Sequence, residues 1–170
     1  MSDASPLRAL PDASPGAVEP RVVFCGHCGR PPEDGLAPEV GSRVCRRCNL
    51  GLLIEAPESL APKAADAFLV VDSTLSVCGL SRRAEKLLGL REVDAVDRHV
   101  TDLLVPADTG VDDPGRPHAL SALLVGAASD PGAPVASMVL RPVDEFGVRF
   151  AARIGPCGPA PSALVVLGLG

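Results

Sequence analysis

Hydrophobic positions are sparse and irregular at the start of the chain and become periodic from Ala65 onward. The run Phe68, Leu69, Val70, Val71 is continuously apolar and ends at the turn signal Asp72, Ser73, Thr74, which predicts a short buried strand. Leu75 and Val77 then alternate with Ser76 and Cys78 and begin a second, paired strand. Ser81 is placed to cap a helix in which Ala84, Leu87 and Leu88 share one face, and Gly89 supplies its stop. Val100, Leu103 and Leu104 predict a second short helix ended by Pro106, and residues 106–117 a loop. Leu120, Leu123, Leu124 and Ala127 mark the buried face of a third helix. Three strands close the chain. Residues 135–141 form the first, Val148, Phe150, Ala152 and Ile154 alternate along the second, and residues 163–167 are a continuously apolar third. The turn at 144–147 joins the first two. Strand, strand, helices, then three strands is an α+β order with one antiparallel sheet and helices on one face.

The earlier part is organised differently. Residues 1–20 are rich in Ser, Asp, Pro and Ala without periodicity and are expected to be a disordered tail. Its charge is −2, from Arg8 against Asp3, Asp12 and Glu19. Residues 21–52 hold four of the six cysteines, residues 53–64 are expected to be a linker, and residues 65–170 form the main domain. A length of 170 residues suits one ordinary domain with a small appendage. No early stretch has the apolar core of a signal peptide, and no run approaches the roughly 18 apolar residues of a membrane span. The expected location is therefore the cytoplasm, without membrane attachment, where thiols stay reduced. Cysteines there point to metal or redox chemistry before disulfides.

Composition narrows the function classes. Apolar residues make up 46% and charged residues 22%, the balance of a globular chain. The only aromatics are four Phe, which argues against base-stacking nucleic-acid modules and aromatic cation cages. Eighteen Pro and 17 Gly keep structured stretches short. The excess of Arg over Lys, with abundant Ala, Gly, Pro and Val, reflects the codon bias of a GC-rich genome and not a chemical need. A net charge of −5 exerts no general pull toward DNA or anionic lipid.

Cys25 and Cys28 are separated by two residues, as are Cys45 and Cys48. That spacing lets both thiolates of a tight turn face one ion, and two such turns complete a tetrahedron of soft ligands suited to Zn²⁺. Gly26 and Gly29 are expected to let the first turn form. A closed four-thiolate shell leaves no position for water, so the ion would be structural. Free buried thiols, a dithiol oxidoreductase and an iron–sulfur centre are the competing readings of the same residues. His27 is expected to point outward and not to be a fifth ligand. The module carries five arginines (21, 30, 43, 46, 47) against Glu33, Asp34 and Glu39, and a tetrathiolate zinc centre at −2 brings it near neutrality. With no basic stripe and no stacking rings, nucleic-acid binding is disfavoured, although Arg46 and Arg47 could meet phosphate.

The run FLVVDSTLSVCGLSRRAEKLLGL (68–90), followed by VDRHVTDLLVPAD (96–108), resembles the PAS domain family of bacterial sensors. Asp72, Ala84, Glu85, Leu88 and Gly89 stand where that family's pattern wants them, and residues 106–108 resemble its Pro-x-Asp turn. Ser81 stands where many members have Asn. The resemblance covers about residues 65–170; the cysteine pairs lie outside it and resemble a zinc ribbon. It implies a five-stranded antiparallel sheet with helices on one face, a small pocket between them, and a sensory or protein-interaction role through a partner or a homodimer. No flavin-type Asn-Cys-Arg context is present, and His118 is the only candidate for an axial haem ligand, His99 being expected on a helix surface. The occupant of the pocket, if any, is left open. Cys78 is expected in a strand core and Cys157 in an accessible loop. No Ser/His/Asp, Cys/His or paired-carboxylate arrangement converges, so the expectation is a non-enzymatic regulator in signal transduction or transcription control. The alternatives are a thiol switch that releases zinc on oxidation and a nucleic-acid-binding zinc ribbon.

Overall fold

The structure is a computed structural model that describes residues 19–32, 43–107, 116–159 and 161–168. Most of the expected tail, the middle of the cysteine module and most of the 106–117 loop lie outside the described residues.

Two sheets form. Strands β1 (Arg21–Cys25) and β2 (Leu53–Pro57) pair antiparallel, with Arg21 opposite Pro57 and Cys25 opposite Leu53. The larger sheet contains β3 (Ala67–Asp72), β4 (Val77–Leu80), β5 (Leu104–Pro106), β6 (Ala136–Pro142), β7 (Phe150–Cys157) and β8 (Ser162–Gly168). Their spatial order is β4-β3-β8-β7-β6-β5, and every pairing is antiparallel. Helices α1 (Arg82–Leu88), α2 (Glu92–Ala95) and α3 (Arg116–Ser129) lie between β4 and β6 in the chain. The α+β layout and the antiparallel sheet with helices on one face are as the sequence implies. A sixth strand is added at the edge. Leu104 and Pro106, expected to end a helix, pair instead with Pro142 and Leu140, and only Val100–Asp102 forms a 3₁₀ turn. A proline is tolerated on an edge strand because no neighbour requires its missing N–H.

Local chemistry explains the joints. Asp72 Oδ1 accepts from the Thr74 amide (2.8 Å), the Thr74 hydroxyl (2.7 Å) and the Ser76 amide (3.0 Å), fixing the β3–β4 turn. The buried Ser81 hydroxyl accepts from the Ala84 amide (3.2 Å) as the cap of α1 and also from the Phe68 amide (2.9 Å). Gly89 ends that helix at φ 60°.

The core between sheet and helices is built from alternate strand positions. Leu69, Val71, Leu140, Phe150, Ile154 and Val165 meet Leu120 and Leu124 of α3, all at 1% exposure or less. These side chains face one another across the space in which the resemblance places a pocket. Strands β3 and β8 are also buried on their other face, which accounts for their continuously apolar sequences. There Phe68, Cys157, Leu164 and Val166 form a second cluster with Phe24 of β1, Ala56 of β2 and Leu60. The Phe24 and Phe68 rings meet edge to face, their centroids 5.7 Å apart. Residues 53–64 are therefore not a linker. They supply β2, a 3₁₀ turn at Glu58–Leu60 and the fully buried Leu60, which sits where a Cβ on Gly155 would approach it to 3.0 Å. Arg153 locks this segment, bonding the Ser59 and Ala61 carbonyls and pairing with Asp66 at 3.0 Å. The molecule has three layers: helices, sheet and the cysteine-bearing ribbon.

Candidate metal centre

Strand β1 delivers Cys25, and the chain turns immediately to bring back Cys28. The turn is closed by hydrogen bonds from the Gly29 amide to the Cys25 carbonyl and from the Cys25 amide to the Arg30 carbonyl, both 2.9 Å. The second pair repeats this design: the Asn49 amide reaches the Cys45 carbonyl and the Cys45 amide the Gly51 carbonyl, both at 2.8 Å. In each turn the residue after the second cysteine has positive φ, 71° at Gly29 and 54° at Asn49. Gly and Asn are the residues that visit this region at least cost. Gly26 is not among the positive-φ residues, so of the two expected hinges only Gly29 is one.

The two turns bring the Cys25, Cys28, Cys45 and Cys48 sulfurs together, all within 4.8 Å of one another. Cys25 Sγ lies 3.6 Å from Cys48 Sγ, and Cys28 Sγ lies 4.0 Å from Cys45 Sγ. A tetrahedron with Zn–S bonds near 2.3 Å has edges of about 3.8 Å, so these separations fit a single ion. The second coordination sphere fits as well. The His27 and Cys28 amides both point at Cys25 Sγ at 3.4 Å, stabilising negative charge on sulfur. Burial pushes the Cys25 and Cys28 thiols up. At Cys48 burial also pushes upward, but the Gly51 and Leu50 amides and the neighbouring Cys25 and Cys45 sulfurs outweigh it and bring the thiol down to about 6. Thiols that resist ionisation at Cys25 and Cys28, beside one that ionises readily at Cys48, are donors a dication would bring to thiolate.

Gly51 is the residue that pattern reasoning missed. A Cβ there would stand 2.5 Å from Cys25 Sγ and 2.8 Å from the His27 amide nitrogen. The repetition along the chain, Cys28 followed by Gly29 and Cys48 by Asn49, points to Asn49, and nothing in the sequence points to Gly51.

Other expected residues fall elsewhere. His27 is not exposed. It is largely buried, with a carbonyl that accepts from the Arg82 amide (2.9 Å) and Nδ1 3.8 Å from Glu92 Oε2. The reason is that the first turn sits directly against the start of α1. His27, Leu52, Ile54, Val70, Gly79 and Glu92 are among the residues lining a cleft of about 420 Å³ between ribbon and sheet. Cys78 is exposed, because the period-two pattern that buries Val77 turns its neighbour outward. Cys157 is buried, as the last residue of β7 beneath the ribbon; its Sγ lies 3.2 Å from the Ser162 hydroxyl, and burial pushes it up to about 11. His118 is exposed near the start of α3, away from the packed core. His99 is also exposed and caps the 3₁₀ turn, its Nδ1 2.6 Å from the Thr101 hydroxyl. Arg46 and Arg47 are exposed between the second pair of cysteines. Among the described residues no helix is long and apolar enough to cross a membrane.

Fold and site together define an α+β layer with one antiparallel sheet, carrying a four-cysteine cluster that can hold a metal ion. No protein-family model matches the chain, and no curated protein matches it in sequence. Solved structures similar to it include two PAS domains. One is the PAS domain of a protein from Colwellia psychrerythraea, with 18% identity and a TM-score of 0.45, over 61% of this chain and 84% of that one. Another is the PAS domain of an HTR-like protein from Haloarcula marismortui, with 12% identity and a TM-score of 0.43, over 65% and 86%.

Proposed function

We propose that this chain is a non-enzymatic regulatory protein in which a structural zinc ion holds a ribbon against a PAS-like sensor layer. Its output would pass by protein–protein interaction, to a partner or a second copy, in signal transduction or transcription control. The observation that carries the reading is the convergence of four sulfurs at tetrahedral-edge distances, with backbone amides aimed at them. Zinc suits an all-thiolate, closed shell. The rim of the second turn favours a protein partner over nucleic acid, because Arg46 and Arg47 share it with the exposed apolar side chains Val44, Leu50 and Leu52.

A second reading, oxidation-driven zinc release, is favoured by the 3.6 Å between Cys25 and Cys48 sulfurs. Two thiolates there would give up two electrons to hydrogen peroxide, whose oxygens leave as two waters with two protons taken from solvent, forming one disulfide and freeing the ion. Metal analysis with an absorption spectrum tests the main reading. One zinc per chain without visible colour is expected; visible bands would mean iron–sulfur, haem or flavin and would overturn it. Counting zinc and free thiols after mild peroxide decides the second reading, since full retention of zinc excludes release.

A further inference from the structure

The ribbon strands have two working faces. In β1, Val23 and Cys25 point to the metal cluster, whereas Val22 and Phe24 point to the sheet. In β2, Leu53 belongs to the metal side, and Ile54 and Ala56 to the sheet side. The metal side is built from Cys25, Cys45 and Leu53, with Val23, Cys28 and Cys48 packed around them, so most of it is ligand. An isolated two-stranded ribbon with so small a core does not hold itself together in water. The opposite side covers Phe68, Leu164 and Val166 on the outer face of the sheet. The polar links between the layers lie at their edges: Glu55 and Gly158 exchange backbone hydrogen bonds of 3.1 and 2.9 Å, the Arg82 amide donates to the His27 carbonyl, His27 Nδ1 lies 3.8 Å from Glu92, Arg21 donates to the Pro131 carbonyl at 3.5 Å, and beyond β2 Arg153 holds the Ser59 and Ala61 carbonyls. The main sheet, by contrast, has its own core on the helical side.

From this asymmetry we infer that the β1–β2 ribbon, with the four cysteines at its end, is a metal-dependent cover: with the ion bound, it seals the outer face of the sheet; without it, the ribbon lifts and exposes the apolar surface of Phe68, Leu164 and Val166 while the main sheet stays folded. The inference rests on the reading of the four cysteines as a metal site, and adds that the site controls access to a surface. A ligand-built core disappears with its ion, whereas the sheet's helical-side core does not contain the ion at all.

The test is hydrogen exchange and hydrophobic-dye binding on the full chain, zinc-loaded and after removal of zinc by a chelator under reducing conditions. Amides of β1 and β2, with Gly158 and Arg82, are expected to lose protection by about tenfold or more, and dye fluorescence to rise several-fold. The β3–β8 and β7–β8 amides are expected to keep theirs. Unchanged β1–β2 protection overturns the cover, and so does simultaneous loss across β3 and β8, which would make the ion a stabiliser of the whole chain. Phe24→Ala separates the two faces. It retains all four thiolates and is expected to bind one zinc per chain yet admit dye with zinc bound; exclusion of dye as in the unaltered protein overturns the coupling through Phe24. A chain that takes up no zinc in the direct metal assay overturns the metal reading itself, and the cover with it.

Discussion

Gly51 shows how little room the sulfur cluster leaves. Any side chain at this position collides with Cys25 Sγ and the His27 backbone. Overpacking of this kind costs about 1–3 kcal/mol, so Gly51→Ala is expected to weaken zinc binding by roughly 5- to 150-fold. Competition against a chromophoric chelator measures it, and Asn49→Gly, which keeps the positive φ available, is the matched variant expected to stay close to the unaltered protein. The four ligands were legible because a thiolate pair leaves its spacing in the chain. Gly51 was not, because its constraint comes from a sulfur that is near only in the folded molecule. The same holds for His27: nothing in its neighbours along the chain shows that Arg82 and Glu92 will enclose it.

Between elements, Ser81 joins α1 to β3 with one oxygen. It serves the helix as its cap and satisfies the Phe68 amide, which is otherwise buried under the ribbon. Ser81→Ala removes a cap worth about 1 kcal/mol and leaves a buried N–H unpaired at about 1–3 kcal/mol, for an expected loss of about 2–4 kcal/mol. The urea midpoint reads this directly. The cap, the Asp72 turn and the Gly89 stop were all visible in sequence, since each depends on residues within a few positions. The stretch from Val100 to Pro106 was misread for the opposite reason. Its apolar spacing suits a helix, but pairing with residues 140–142 makes its second half a strand, and that partner lies more than thirty residues away.

For the whole molecule, the joint between ribbon and sheet also sets an alkaline limit. Cys157 lies in that joint, where burial holds its proton up to about 11 against an ordinary 9.0. Above about pH 9 the unfolded chain releases this proton and the folded chain keeps it, so stability falls as pH rises from 9 to 11. The size is up to about 2–3 kcal/mol. Denaturation of the zinc-loaded protein, whose ligand thiols are already ionised, is expected to show this decline. Cys157→Ala is expected to start lower, for lack of packing, but to decline less steeply. The three-layer arrangement itself left a trace in the sequence: residues 68–71 and 163–167 are apolar at every position, the mark of strands covered on both faces. What covers them was not legible, because Phe24, Ala56 and Leu60 are scattered around the cysteines and across a segment that looked like a spacer.

Strand β1 is in effect a reading frame shared by two messages. Odd positions spell the metal site and even positions spell the contact with the sheet. A single inserted residue before Cys25 would exchange them, turning Phe24 away from the sheet or Cys25 away from its fellow ligands. A single substitution in β1 disturbs one message only, the metal site at Cys25 or the sheet contact at Phe24. An insertion or deletion disturbs both at once, so the length of this strand is constrained from both faces together.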